Sequence, residues 1–134
     1  METLLLPATI ESLEACRLFV LEKLQQLDVT REITFKVELV LEEVLTNVIH
    51  YAYPESTGEM EIGCSIEADR SFCFVIKDWG VPFNPLERSD PELSDDLSKR
   101  QVGGLGIHLV RHMVDELSYQ RQDGSNILTF CFHL

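Results

Sequence analysis

Positive charge is scarce in this chain. Eleven lysines and arginines stand against 23 aspartates and glutamates over 134 residues, leaving a net charge of −12 and a pI near 4.6. Such a surface repels phosphate backbones and anionic lipid, which argues against direct nucleic-acid or membrane partners. No apolar run approaches the ~18 residues of a membrane-spanning helix. The opening METLLLPATIESLE is apolar without a basic flank, unlike a secretion signal. The four cysteines, Cys16, Cys64, Cys73 and Cys131, include no CxxC pair. They read as buried, reduced thiols in a cytoplasmic protein. No GxxxxGKS/T phosphate loop, HExxH zinc motif or GxSxG nucleophile elbow occurs, which excludes those enzyme classes. His108 and His112 are four apart on a helical stretch, but no third metal ligand accompanies them.

Apolar residues make up 45% of the chain, enough for one core without staples. The strongest pattern is FKVELVLEEVLTNVIHYA, residues 35–52. Val37, Val40, Leu41, Val44, Leu45, Val48, Ile49 and Ala52 fall at helical spacing, with Thr30 upstream as a cap. Glu43 and Asn47, one turn apart, share a side of this helix, with Asn47 near the rim of the apolar stripe. A shorter helix is expected from a cap at Thr9 or Ser12 to about Leu27, carrying Leu13, Cys16, Leu18, Val20, Leu21 and Leu24. Strands are expected at 3–6, 60–68, 71–77, 117–122 and 126–134, with turns at Asp69-Arg70 and Asp123-Gly124-Ser125. Residues 79–100 hold Gly80, Pro82, Pro85 and Pro91 and show neither period, so they read as a long functional loop. A third helix follows to about Glu116. The order β-α-α-β-β-loop-α-β-β predicts one α+β domain over residues 1–134: a mostly antiparallel sheet of about five strands with three helices on one face.

Three segments carry chemistry. Glu43 and Asn47 are the first: a carboxylate that can take a proton from a hydroxyl, and a neutral oxygen that Mg²⁺ accepts beside phosphate. Asp78-Trp79-Gly80 is the second. A carboxylate at a strand end accepts a hydrogen bond from an exocyclic amine, and a glycine lets a flat ring approach the backbone. Gly103-Gly104-Leu105-Gly106 is the third, opening a helix whose free N–H groups and dipole favour phosphate.

In this order the segments resemble the GHKL ATPases of the Bergerat fold, and most closely the stand-alone bacterial anti-sigma-factor serine kinases. EEVLTNVIHYAY resembles that family's N box, DWGVPFNP its first glycine box, GGLGIHLVRHMVDEL its second, and GSNILTFCF its closing strand. The likeness implies a histidine-kinase-like ATPase domain with a two-layer sandwich fold. It implies Glu43 as general base and Asn47 as Mg²⁺ ligand. His50 and Tyr51 would lie near the nucleotide, and Asp78 would receive the adenine amine. Gly80 would floor the ring, with Pro82 and Phe83 following as the subgroup has them. Gly103, Gly104, Leu105 and Gly106 would bind phosphate, and Ser125 would stand near adenine. Residues 84–102 would form a mobile ATP lid, with Arg88, Lys99 and Arg100 as its basic residues. No phospho-accepting histidine segment precedes these boxes, unlike a complete histidine kinase.

The implied cofactors are ATP and Mg²⁺. The implied activity is phosphorylation of a serine on an anti-anti-sigma (STAS-type) partner, combined with sequestration of a sigma factor. The alternative is a nucleotide-switched binding module with little turnover. A homodimer would use the N-terminal strand or the open side of the sheet.

Overall fold

The computed structural model describes residues 1–68, 70–84 and 104–134, with the side chains of 104–108 left aside. The expected lid beyond Asn84, and Gly103, lie outside the described residues. The elements follow the expected order. They are β1 (Thr3–Pro7), a 3-10 turn (Ile10–Ser12), α1 (Leu13–Gln25), α2 (Arg31–Tyr51), β2 (Glu59–Ile66), β3 (Ser71–Asp78), α3 (Gly104–Met113), β4 (Glu116–Gln122) and β5 (Ser125–His133).

The strands form one sheet in the order β1-β2-β3-β5-β4, and every neighbouring pair is antiparallel. Inward positions alternate along the strands: Met60, Ile62 and Cys64; Phe72, Phe74 and Ile76; Leu128, Phe130 and Phe132. They meet Cys16, Val20 and Leu24 of α1, the buried stripe of α2, and Val110 of α3. The helices therefore lie on one face.

α2 forms for the reasons its sequence gives. Thr30 has extended backbone angles, and its hydroxyl accepts from the Ile33 N–H at 3.2 Å. Val37, Val40, Leu41, Val44, Leu45 and Val48 are all buried. Capping of α1 differs: neither Thr9 nor Ser12 caps a backbone N–H through its side chain, and the 3-10 turn supplies the entry instead. Leu18 of α1 is exposed, not part of the core. α3 stops at Met113, three residues short of expectation. The Val114–Asp115 link leads directly into β4, and the Asp115 N–H already bonds the Cys131 carbonyl at 2.9 Å. The β4–β5 turn is two residues, Asp123 (φ 51°) and Gly124 (φ 77°), a primed hairpin turn that suits the strand twist. Ser125 belongs to β5, not to the turn.

The expectation of four reduced thiols is corrected. Cys73 on β3 and Cys131 on β5 are directly opposite in register and form a disulfide. The sequence hides this because they are 58 residues apart. Cys16 and Cys64 are free and buried, and burial pushes their thiols up to about 11 and about 12. The thiol pattern therefore no longer argues for a reducing compartment. Among the described residues no helix is long and apolar enough to cross a membrane.

Alkylation of the protein unfolded without reductant is expected to label two cysteines, Cys16 and Cys64, and all four after reduction. Reduction should also lower stability by about 2–4 kcal/mol, read as a shift in the denaturant midpoint. Four labelled cysteines without reductant would refute the bridge.

Candidate active site

Glu43, Asn47 and Tyr51 succeed one another at i, i+4 and i+8 on α2 and so line one side of it. Asn47 does not sit at a rim. It is 1% exposed, among the valines and leucines of the stripe. Among the described residues neither its Oδ1 nor its Nδ2 has a hydrogen-bond partner, and the buried Oε1 of Glu43 has none either. Burying such groups unpaired costs about 1–3 kcal/mol each, so three together on one helix face mark a place built for something else to bind. An uncharged amide oxygen beside a carboxylate is a hard-oxygen donor set, which fits Mg²⁺ sharing its shell with phosphate and water. Glu43 also lines a cavity of about 80 Å³ with Leu39, Val40, Leu109, Val110 and Met113. Burial first, then the Glu42 charge, holds Glu43 above the ordinary carboxylate range, and the nearby Asn47 amide opposes this. His50, on the exposed side, meets Tyr51 edge-on at 6.3 Å.

The end of α2 is fastened to the end of β3. The Val81 N–H donates to the Ala52 carbonyl at 2.9 Å. A Cβ at Gly80 would stand 2.0 Å from that same oxygen. Glycine is thus required here for helix-to-strand docking, whereas the family likeness assigned it to the floor of a ring. Tyr53, just past the helix, donates its hydroxyl to the Glu59 carbonyl at 2.6 Å and accepts the Trp79 N–H at 2.9 Å. Tyr51 stacks on Phe83 with ring centroids 5.2 Å apart, while Pro82 is exposed between these contacts.

Asp78 closes β3 and is buried, 2% exposed. Its Oδ1 accepts from the Gly80 N–H and from the Asn126 Nδ2, both at 2.9 Å. Among the described residues every hydrogen bond to this carboxylate falls on Oδ1, so Oδ2 remains to accept from a ligand. Among the described residues Ser125 makes no hydrogen bond to Asp78. It lies one residue off the inward register of β5, and its hydroxyl donates to the Gln122 carbonyl at 2.7 Å. Asn126, paired with Asp78 across the sheet, takes that place. Sequence reasoning also missed Tyr119 and Arg121 of β4, which both donate to the Asn126 Oδ1. The signal available was a polar residue within the alternating apolar run of β5. Gly104 opens α3, with Gly106 in its first turn.

A family model described as the histidine kinase-like ATPase domain matches residues 6–132. The chain belongs to this family. The serine/threonine-protein kinase BtrW of Bordetella bronchiseptica is 33% identical over 100 residues, which cover 74% of this chain and 70% of BtrW. The serine-protein kinase RsbW of Bacillus cereus is 27% identical over 95 residues, 68% of this chain and 59% of RsbW. The RsbU and RsbW domains of Rv1364c from Mycobacterium tuberculosis share the fold: TM-score 0.67 and 16% identity, over all of this chain and 33% of that one. The histidine kinase domain of the blue-light activated kinase of Erythrobacter litoralis EL346 aligns with TM-score 0.57 and 25% identity, over 81% of this chain and 48% of its own.

Electrostatics sets a cost for burying Asp78. Burial holds Asp78 above its ordinary value of 3.8, and the bonds from Asn126 and Gly80 and the Arg121 charge only partly offset this. With a raised folded-state pKa, the folded chain binds more protons than the unfolded one between 3.8 and the raised value. Stability therefore falls as pH rises through that window. Asp78→Asn keeps an oxygen for Gly80 and Asn126 and removes the charge. It is expected to lose this pH-dependent decline and to be more stable than the unaltered protein at neutral pH. Denaturant midpoints of both proteins between about pH 4 and about pH 7 check this. A variant that is less stable at neutral pH would contradict it.

Proposed function

We propose that residues 1–134 act as one Mg²⁺-ATP-dependent protein serine kinase domain. Its substrate is an anti-anti-sigma (STAS-type) partner, and a sigma factor is its regulated target. The observation that carries this reading is that the helix bearing the unpartnered Asn47 amide is fastened, through the Ala52–Val81 bond, to the end of the strand that bears Asp78. The kinase names of BtrW and RsbW support the reaction type.

The residues divide the work. Asp78 Oδ2 accepts an N–H of the adenine amine, and Tyr51 and Phe83 supply apolar ring surface beside it. Asn47 Oδ1 would hold Mg²⁺, which would supply charge neutralisation at the phosphates. The α3 N-terminus at Gly104–Gly106 offers backbone N–H groups to phosphate oxygens. Glu43 accepts the proton of the attacking serine hydroxyl as its oxygen bonds to the γ-phosphorus, and ADP leaves with the bridging oxygen. Partial burial makes Glu43 a better proton acceptor than an exposed glutamate.

The alternative, a nucleotide-switched binding module, is favoured by one observation. Exposed Phe35 and Leu39 border a groove between α1 and α2 that Leu13, Leu41 and Leu45 also line. Both readings require nucleotide; only the first requires Glu43.

Calorimetric titration is expected to show micromolar, Mg²⁺-dependent ATP binding that Asn47→Ala abolishes. Glu43→Ala should retain ATP and lose about 10²–10⁴-fold in phosphotransfer to the STAS-type partner. Undiminished transfer would remove Glu43 from the reaction, and absence of transfer in the unaltered protein would favour the switch.

A further inference from the structure

Asn126 is the most heavily used side chain among the described residues. Its Nδ2 donates to Asp78 Oδ1 at 2.9 Å and to the Val81 carbonyl at 2.8 Å. Its Oδ1 accepts from the Tyr119 hydroxyl at 2.5 Å, Arg121 Nη1 at 3.2 Å and the Phe83 N–H at 3.3 Å. Arg121 Nη1 also donates to the Gly80 carbonyl at 2.8 Å. One buried amide thus touches Asp78 and both ends of 81–83, and is itself held from β4.

The direction of that amide is not free. A guanidinium is donor-only, so Arg121 requires an acceptor, and Asn126 must turn its oxygen toward β4. Its NH₂ then faces Asp78, and the Gly80 N–H meets the same carboxylate oxygen. Two donors on Oδ1 exclude a proton there and fix the carboxylate plane. Oδ2 is left as the acceptor presented to the pocket.

We infer that Asn126 is the positioning residue that sets base specificity: by locking Asp78 Oδ1, it directs Oδ2 of the ionised carboxylate, as acceptor, toward a purine carrying an exocyclic amine, and it holds residues 81–83 beside the same carboxylate. The inference rests on the nucleotide-binding reading of this site and assigns its discrimination to a residue of β5. A ligand with a carbonyl in place of the amine sets oxygen against oxygen and is rejected. With Asn126 unable to donate, the Asp78 carboxyl can turn or carry its proton differently, and amine and carbonyl ligands become alike.

The test compares ATP with inosine triphosphate, which has a carbonyl where adenine has its amine, by calorimetry on the whole chain. The unaltered protein is expected to prefer ATP by at least about tenfold. Asn126→Leu should lose ATP affinity while holding inosine triphosphate nearly as before, so that the preference collapses. A purely structural role would weaken both equally. Asn126→Asp keeps the shape and sets two carboxyls face to face. Its ATP affinity should fall as pH rises and their shared proton leaves, a profile the unaltered protein lacks. Arg121→Gln, at an exposed position, should fold normally and reduce the preference in the same sense. A preference unchanged in Arg121→Gln and in either Asn126 variant would overturn the inference while leaving nucleotide binding intact. If the unaltered protein bound neither triphosphate, the nucleotide reading itself would fall.

Discussion

The bond from the Val81 N–H to the Ala52 carbonyl is the joint on which the site depends. It fastens the last turn of α2, with Asn47 and Tyr51 just upstream, to the end of β3, where Asp78 sits. Gly80 makes the joint possible, because any side chain there would collide with the helix end. Tyr53 braces the same corner by bonding both β2 and the chain after β3. Through this corner, a helix anchored by six buried aliphatic side chains gives its fixed position to residues 79–83, which Asn126 and Arg121 hold from the other side.

Around that corner the protein leaves polar groups underused on one side and saturated on the other. Asn47 and Glu43 carry buried atoms without partners among the described residues, a cost that a core made only for stability would not retain. Asp78 and Asn126 are tied into a dense network, in which one carboxylate oxygen takes no bond among the described residues. The two halves differ in kind: on one side two acceptors and one donor are buried without partners among the described residues, and on the other a rigid network fixes the direction of a single carboxylate.

The long helix, its Thr30 cap and its buried stripe were legible because the pattern is local and periodic, and the Asp123-Gly124 turn because its conformation demands those residues. The Asp78 partner was not. Ser125 and Asn126 differ by one residue, and in a strand one residue decides the face. The disulfide was hidden too, since only the sheet register brings Cys73 opposite Cys131. The limits of α1 and α3 shifted because a 3-10 turn and an early strand pairing took over residues whose periodicity continued the helix.

The β4–β5 hairpin has a kinetic consequence. Tyr119, Arg121 and Asn126 are joined across separations of seven and five residues, whereas Asn126 and Asp78 are 48 apart. A hairpin closes in about 1–10 μs, while contacts distant in sequence await the closure of longer loops. The frame that orients the amide is therefore a local unit able to form before β3 arrives beside it. Asp78 thus meets an amide whose direction is set within the hairpin itself.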